Sequence, residues 1–232
     1  MSMGSVLKWS AAALWPQRVV LRGPSQGSRV ALTFDDGPHP EHTPLLLDVL
    51  ADAQVQATFF LQGSHAEQWP QLVREIHARG HQVANHAYSH RSARQISAHD
   101  FVQEVERTQA LLEHIVGGSL ARDFRPPFGD TTPHSFLRLA RLGYRWVFWS
   151  LDSDDSEVRD PEQLALRTES LQAGPGDIVL FHEDYAHSVA AMPRVLASWR
   201  ARGLNAVRVD ALNGAAQPGH MTIPTTQQVQ RP

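Results

Sequence analysis

From Arg29 onward, short apolar runs alternate with longer segments in which apolar residues recur at helical spacing. This alternation is typical of parallel strands joined by helical crossovers, so it predicts an α/β fold. Several helix ends carry the expected signals: Thr43-Pro44 opens one helix, Ser97 caps another, and Gly80 follows a third. The runs predicted as strands are residues 30–34, 57–61, 82–84, 124–125, 145–148, 178–181 and 206–209.

Length and composition indicate one domain with a single core. The chain has 232 residues, of which 42% are hydrophobic and 19% charged, which is enough to bury a substantial core. We predict an N-terminal extension over residues 1–28, a folded domain over 29–212 and a polar C-terminal tail over 213–232. The tail is rich in Gly, Gln, Pro and Thr without apolar periodicity, so we exclude it from the site.

Charge, cysteine content and hydropathy exclude several classes of function. The formal net charge is -3 and no basic stripe is present, so we expect no nucleic-acid partner. The chain has no cysteine, which leaves nitrogen and oxygen atoms as the ligands for any metal ion. No segment has the roughly 20 uninterrupted apolar residues of a transmembrane helix. Residues 6–15 do not form a convincing signal peptide, which favours the cytoplasm. The oligomeric state stays open.

The acidic pair Asp35-Asp36 comes directly after the first predicted strand and before a Gly-Pro turn. Ligands and catalytic groups collect at the carboxyl ends of parallel strands, because the following loops converge there. Adjacent carboxylates repel each other unless a cation or a guanidinium balances them. Taken alone, the Asp-Asp-Gly sequence also fits a solvated turn.

His86 and His90 follow the predicted strand 82–84 and are four positions apart. A neutral imidazole is a good zinc ligand, although either histidine alone also fits an ordinary surface position. Together with Asp36, the two histidines would fill three coordination positions and leave a fourth for water. That arrangement is typical of catalytic rather than structural zinc sites.

Three further polar clusters also lie at the ends of predicted strands. Arg125 precedes two prolines that stiffen its loop, and its guanidinium can hold a carboxylate and lower the pKa of that carboxylate. An acidic loop containing Asp155 follows another strand, and His182 ends the strand at 178–181. Each cluster alone has an ordinary structural explanation. The coincidence of five clusters at strand ends predicts one active site.

In order and spacing, the motifs T-F-D-D-G-P, N-H-x-x-S-H, R-P-P-F-G, D-x-x-D and L-F-H resemble those of the polysaccharide deacetylase family. This family is also called the NodB homology or carbohydrate esterase 4 family, and the resemblance covers residues 30–209. It implies an irregular (β/α)7 barrel and a metal-dependent hydrolase. The implied substrate is an N-acylated, normally N-acetylated, amino sugar or polysaccharide such as chitin oligomers or peptidoglycan.

The resemblance also implies where the metal ion and the acyl group bind. Asp36, His86 and His90 would bind one divalent metal ion, for which zinc is the default and cobalt or another divalent ion an alternative. Phe128 would offer its backbone N–H to the oxyanion. Leu180 would line the pocket that takes the acyl methyl group.

The proton-transfer groups follow from the same resemblance. Asp35 would be the general base, oriented by Arg125. His182 would be the general acid, partnered by Asp155. The sequence has no G-x-S-x-G nucleophile motif, so we expect water rather than a side chain to attack the amide.

Two positions depart from the pattern of the family. Ser156 stands where Trp is usual, and Ala87 stands where Thr or Ser is usual. The loss of a flat aromatic surface for a sugar ring bears on substrate choice, whereas neither change removes a metal ligand or a proton-transfer group. The alternatives are a deacylase, deformylase or imidase that acts on another C–N bond with the same site, a non-catalytic carbohydrate-binding relative, and a structural α/β domain without metal.

Overall fold

The computed structural model describes residues 17–213, in which a curled sheet is surrounded by helices. Its strands are β1 (Val19–Val20), β2 (Arg29–Asp35), β3 (Thr58–Leu61), β4 (Gln82–Asn85), β5 (Asp123–Phe124), β6 (Arg145–Val147), β7 (Leu151–Asp152), β8 (Ile178–His182) and β9 (Asn205–Val207). Its helices are α1 (His42–Asp52), α2 (Gly63–Gln68), α3 (Pro70–Ala78), α4 (Ala98–Val116), α5 (Pro133–Arg141), α6 (Pro161–Ser170) and α7 (Ala186–Ala201). Two short 3-10 turns cover Pro127–Gly129 and Val209–Ala211.

The strands pair in the order β1-β6-β5-β4-β3-β2-β8-β7, and β9 also pairs with β2. Every pairing among these strands is parallel. Parallel neighbours require a crossover connection, and helices supply most of them here. This arrangement confirms the predicted α/β fold with a parallel sheet.

All seven predicted strands are present, with ends that differ from the prediction by at most two residues. The last strand ends at Val207, because Val209 already belongs to a 3-10 turn. β1 and β7 are absent from the sequence prediction. Each has two residues, and neither is marked by a motif like the Arg-Pro-Pro loop that follows β5, which has the same length.

The predicted helix ends are also confirmed. Thr43 and Pro44 lie in the first turn of α1. The hydroxyl of Ser97 accepts a hydrogen bond from the backbone N–H of Asp100 and caps α4. Gly80 comes directly after Arg79, the C-cap of α3, and has a φ of 84°, a conformation that favours glycine.

The two faces of β2 have different surroundings. Side chains on the outer face pack against helices, and those on the inner face lead to the site. Leu32 and Phe34 belong to the main hydrophobic cluster, which packs against helices. Ala31 belongs to a different, smaller cluster. Side chains alternate along a strand, so Thr33 and Asp35 share the inner face with Ala31. The strand therefore directs Asp35 into the mouth of the barrel.

No helix in the described range has the combination of length and apolar character that crossing a bilayer requires. Residues 6–15, the segment compared above with a signal peptide, lie outside the described residues, as do residues 214–232 of the predicted tail. Within the predicted N-terminal extension, β1 joins the sheet beside β6.

Candidate active site

The polar clusters at the strand ends meet at one edge of the sheet. In the strand register, Asp35 lies opposite Phe60 on one side and His182 on the other. Asn85 lies opposite Leu61 and Phe124. The carboxyl ends of β2, β3, β4, β5 and β8 are therefore nearly level, and the residues after them are brought together.

Asp36, His86 and His90 have side-chain donor atoms that all lie within 4.8 Å of one another. Oδ1 of Asp36 is 3.5 Å from Nε2 of His86 and 3.1 Å from Nε2 of His90. Ligand atoms at about 2.0 to 2.1 Å from a tetrahedral zinc ion are roughly 3.3 Å apart. The three residues therefore fit one small divalent ion. Within residues 17–213, no other group of three His, Cys, Asp or Glu side chains has this spacing.

Neighbouring groups orient these candidate ligands. Nδ1 of His86 donates a hydrogen bond to the backbone carbonyl of Arg125 at 2.7 Å, which leaves Nε2 free to bind a metal ion. The side-chain amide of Gln62 donates to Oδ1 of Asp36 at 2.9 Å. Nδ1 of His65 is 2.7 Å from the carbonyl oxygen of Asp36. These hydrogen bonds fix the orientation of Asp36 and of the His86 imidazole.

Backbone strain is concentrated at the same place. Asp36, Ala87, His90 and Phe128 have φ values of 73°, 62°, 55° and 60°, in the left-handed region that non-glycine residues rarely adopt. Such strain is typical of functional sites, where the surrounding structure enforces it. Two of the four are candidate metal ligands.

The Asp36 carboxylate is suited to bind a cation. Burial alone would raise the pKa of Asp36, but His86, His90 and His182 and the amide of Gln62 lower that pKa below its ordinary value. Burial lowers the pKa of His90, which favours the neutral, metal-binding form of that imidazole.

Asp35 is held by Arg125, whose side chain is completely buried. One guanidinium nitrogen donates to Oδ1 of Asp35 at 2.7 Å and to the hydroxyl of Thr33 at 2.9 Å. Burial lowers the pKa of Arg125, and the negative charge of Asp35 opposes that shift. The other oxygen of Asp35, Oδ2, is 3.8 Å from Nε2 of His86 and thus faces the candidate metal ligands.

His182 and Asp155 form a second pair at the same edge. Nδ1 of His182 is 2.7 Å from Oδ1 of the fully buried Asp155. The other oxygen of Asp155 accepts hydrogen bonds from the backbone N–H of His182 and from the hydroxyl of Ser188, both at 2.7 Å. Burial would lower the pKa of His182, but the hydrogen bond and charge of Asp155 raise it to about 9. Nε2 is left as the ring nitrogen that can donate a proton.

Three other residues singled out from the sequence lie around this edge. The ring of Phe128 is 64% exposed, and its centroid is 4.6 Å from that of His90. Leu180 is buried two positions before His182 on β8, on the same face of the strand. Ser156 follows Asp155 and is exposed, without an aromatic group at that position.

Glu183 has a supporting position that sequence reasoning did not assign. Its buried carboxyl accepts a hydrogen bond from Thr43, and burial raises its pKa to about 8. A β-carbon at Gly37 would overlap this carboxyl, so only glycine fits at that point of the turn after Asp36. Gln62 directly follows the predicted strand 57–61, and Glu183 directly follows β8, one residue later than the predicted strand end allowed. The rule that located the other residues could therefore have located these two.

Comparison with known proteins supports the motif assignment. The sequence model described as polysaccharide deacetylase matches residues 22–147 of this chain. A chitooligosaccharide deacetylase of Azorhizobium caulinodans is 34% identical over 186 residues, which are 80% of this chain and 85% of that protein.

Solved structures give the same result at the level of the fold. A peptidoglycan N-acetylglucosamine deacetylase, crystallised with an N-hydroxy benzamide, superimposes with a TM-score of 0.82 at 27% identity, covering 89% of this chain and 98% of that chain. A family 4 carbohydrate esterase from Streptomyces lividans, in complex with acetate, gives a TM-score of 0.72 at 34% identity and covers 78% and 92% of the two chains. These similarities confirm the irregular (β/α)7 barrel.

Proposed function

Because this chain belongs to the polysaccharide deacetylase family, we propose that it removes N-linked acetyl groups from an amino-sugar oligomer or polysaccharide by metal-dependent hydrolysis. The observation that carries the proposal is the convergence of Asp36, His86 and His90 beside Asp35 and His182. The names of the similar proteins support chitin oligomers or peptidoglycan as the substrate class.

Asp36, His86 and His90 would hold the metal ion through one carboxylate oxygen and two imidazole nitrogens. Zinc is the ion that this donor set favours, and cobalt or another divalent ion is compatible with it. When bound, such an ion supplies Lewis-acid polarisation of the acyl carbonyl and activation of water.

Asp35 is the group that accepts the proton of the attacking water. Its Oδ1 is occupied by the buried guanidinium of Arg125, so Oδ2 is the oxygen available on the side of the metal ligands. The hydrogen bond from the buried guanidinium of Arg125 keeps the carboxylate oriented. These contacts match the requirements of a general base.

His182 is the group that protonates the departing amine. Asp155 binds Nδ1 and stabilises the imidazolium ion, which leaves Nε2 to donate to the leaving nitrogen. Without that proton the nitrogen would depart as an amide anion, which is a very poor leaving group. The backbone N–H of Phe128 is proposed to donate to the oxyanion, and Leu180 to contact the acyl methyl group.

Acetate release from N-acetylglucosamine oligomers tests this function directly. The purified protein loaded with zinc is expected to release acetate from a tetramer, and a chelator is expected to stop the release until zinc is added back. N-formyl, small N-acetyl amine and cyclic imide substrates are assayed in parallel. Hydrolysis of one of these, with no acetate from the sugar oligomers, would contradict the proposed substrate class.

The pKa of His182 predicts the alkaline limit of activity. Because Asp155 raises this pKa to about 9, the protonated acid is present below that pH and is lost as the pH rises through it. The charge of a bound metal ion opposes this upward shift, so we expect kcat of the metal-loaded wild type to fall with a midpoint between 6.5 and about 9. In Asp155→Asn the hydrogen-bonded charge that raises the pKa most is removed, while burial still lowers it and Asp35 and Asp36 still raise it, so the midpoint should move to lower pH than in the wild type.

Asp154→Asn is the matched control for this pH experiment. Asp154 is the adjacent acid, but it pairs with Arg167 instead of His182. Its pH profile should therefore coincide with that of the wild type. An unchanged alkaline midpoint in Asp155→Asn would contradict the role of the His182–Asp155 pair.

A further inference from the structure

Tyr185 lies beside the general acid on the short segment between β8 and α7. The centroid of its ring is 5.7 Å from that of His182, and the side chain is only partly buried. Tyr185 is the N-cap of α7, and its carbonyl accepts hydrogen bonds from the backbone N–H groups of Ser188 and Val189. The backbone at this position is therefore fixed to the start of a helix.

His187 holds the Tyr185 ring from the other direction. The two rings are stacked, with centroids 5.1 Å apart and planes at 13°. Nε2 of His187 donates a hydrogen bond to the backbone carbonyl of Asp155 at 2.7 Å, and the carboxylate of Asp155 binds His182. The aromatic ring and the acid are thus attached to the same buried residue, so their relative position is preorganised.

The reaction places the sugar next to this ring. If His182 protonates the leaving nitrogen, Nε2 and that nitrogen must approach to about 3 Å. The nitrogen is bonded to a ring carbon of the sugar, so the pyranose lies within a few ångströms of the imidazole. The Tyr185 ring, centred 5.7 Å from the imidazole, is the neighbouring aromatic group that a pyranose held there can reach.

We propose that Tyr185, supported by His187, is the binding platform for the pyranose whose amine is released. The C–H groups on one face of a pyranose form an apolar surface that packs against an aromatic ring. Ser156, on the exposed side of Asp155, has no ring to contribute such a surface. This proposal rests on the proposed function, because the direction of the sugar follows from the role of His182.

Steady-state kinetics with an N-acetylglucosamine tetramer tests the platform. Tyr185→Ala is expected to raise KM by about tenfold, with a smaller change in kcat, which is the scale of one aromatic contact. Tyr185→Phe keeps the ring and should keep a KM close to that of the wild type. His187→Ala removes the stacked support and should raise KM to an intermediate value. Leu137→Ala, an exposed apolar residue on α5, is the matched surface control.

A binding measurement separates failure of this inference from failure of the proposed function. The Kd of the fully de-N-acetylated tetramer is measured by calorimetry without turnover, on variants whose thermal melting matches the wild type. Tyr185→Ala should weaken binding about tenfold. Equal KM and Kd in Tyr185→Ala and wild type would overturn the platform even if the wild type releases acetate. A loss in kcat shared by Tyr185→Phe would also overturn it, because it would assign the effect to the hydroxyl group.

Discussion

Asp35→Asn is expected to retain the metal ion and to lose at least about 100-fold in kcat for acetate release, the scale of general acid–base help. Asparagine has the same shape and can still accept the hydrogen bond from Arg125, but it cannot take a proton from water. Because Asp35 is not one of the three candidate ligands, the zinc content should remain that of the wild type. The measurements are kcat on the tetramer and zinc content by mass spectrometry.

Asp123→Asn is the matched control for Asp35→Asn. Asp123 is also a buried carboxylate in the sheet and is paired with an arginine, here Arg145 at 2.6 Å. Both variants remove the negative partner of a guanidinium and should lower the free energy of unfolding. Only Asp35→Asn should lose the chemical step, and an equal loss of kcat in both variants would mean that stability alone is responsible.

His86→Ala is expected to weaken zinc binding at least about 100-fold. Substitution of a residue that only hydrogen-bonds to a metal ligand already weakens metal binding by up to that factor, and His86 is itself a candidate ligand. His86 supplies one of the three donor atoms, and its imidazole is buried and oriented by the carbonyl of Arg125. Two remaining donors cannot complete the site. Equilibrium dialysis against zinc gives the Kd, and the activity should fall with the bound metal.

His77→Ala controls for non-specific zinc binding in a chain with 13 histidines. His77 is exposed on α3, so His77→Ala should leave the Kd for zinc unchanged.

The comparison of Asp35→Asn with His86→Ala separates the two roles. Asp35→Asn should keep the metal ion and lose the chemical step, whereas His86→Ala should lose the metal ion. Equal metal loss in Asp35→Asn and His86→Ala would contradict the division of roles.

The location of the site could be predicted because one physical rule covers it. Parallel strands place their carboxyl ends at one edge, so polar residues directly after β2, β4, β5 and β8 had to converge. Asp36 is far in sequence from His86 and His90, yet the three meet because the strands before them, β2 and β4, are next neighbours in the sheet.

Other parts of the site could not be predicted from the sequence. The contact of His187 with the Asp155 carbonyl depends on how α7 packs beside the acidic loop, and no local pattern encodes that packing. The sequence also does not predict the complete burial of Asp155, because a run of acidic residues in a loop is usually solvated. β7, only two residues long, pairs with β8 just before that loop, and its residues Leu151 and Asp152 show no apolar alternation.

The central claim is that one divalent ion binds between Asp36, His86 and His90, next to Asp35. A crystal of the zinc-loaded protein, measured on both sides of the zinc absorption edge, locates the ion by anomalous diffraction. The account predicts one strong peak within about 2.2 Å of Oδ1 of Asp36 and of Nε2 of both histidines. A peak at any other place, or no peak in protein that contains stoichiometric zinc, would contradict it.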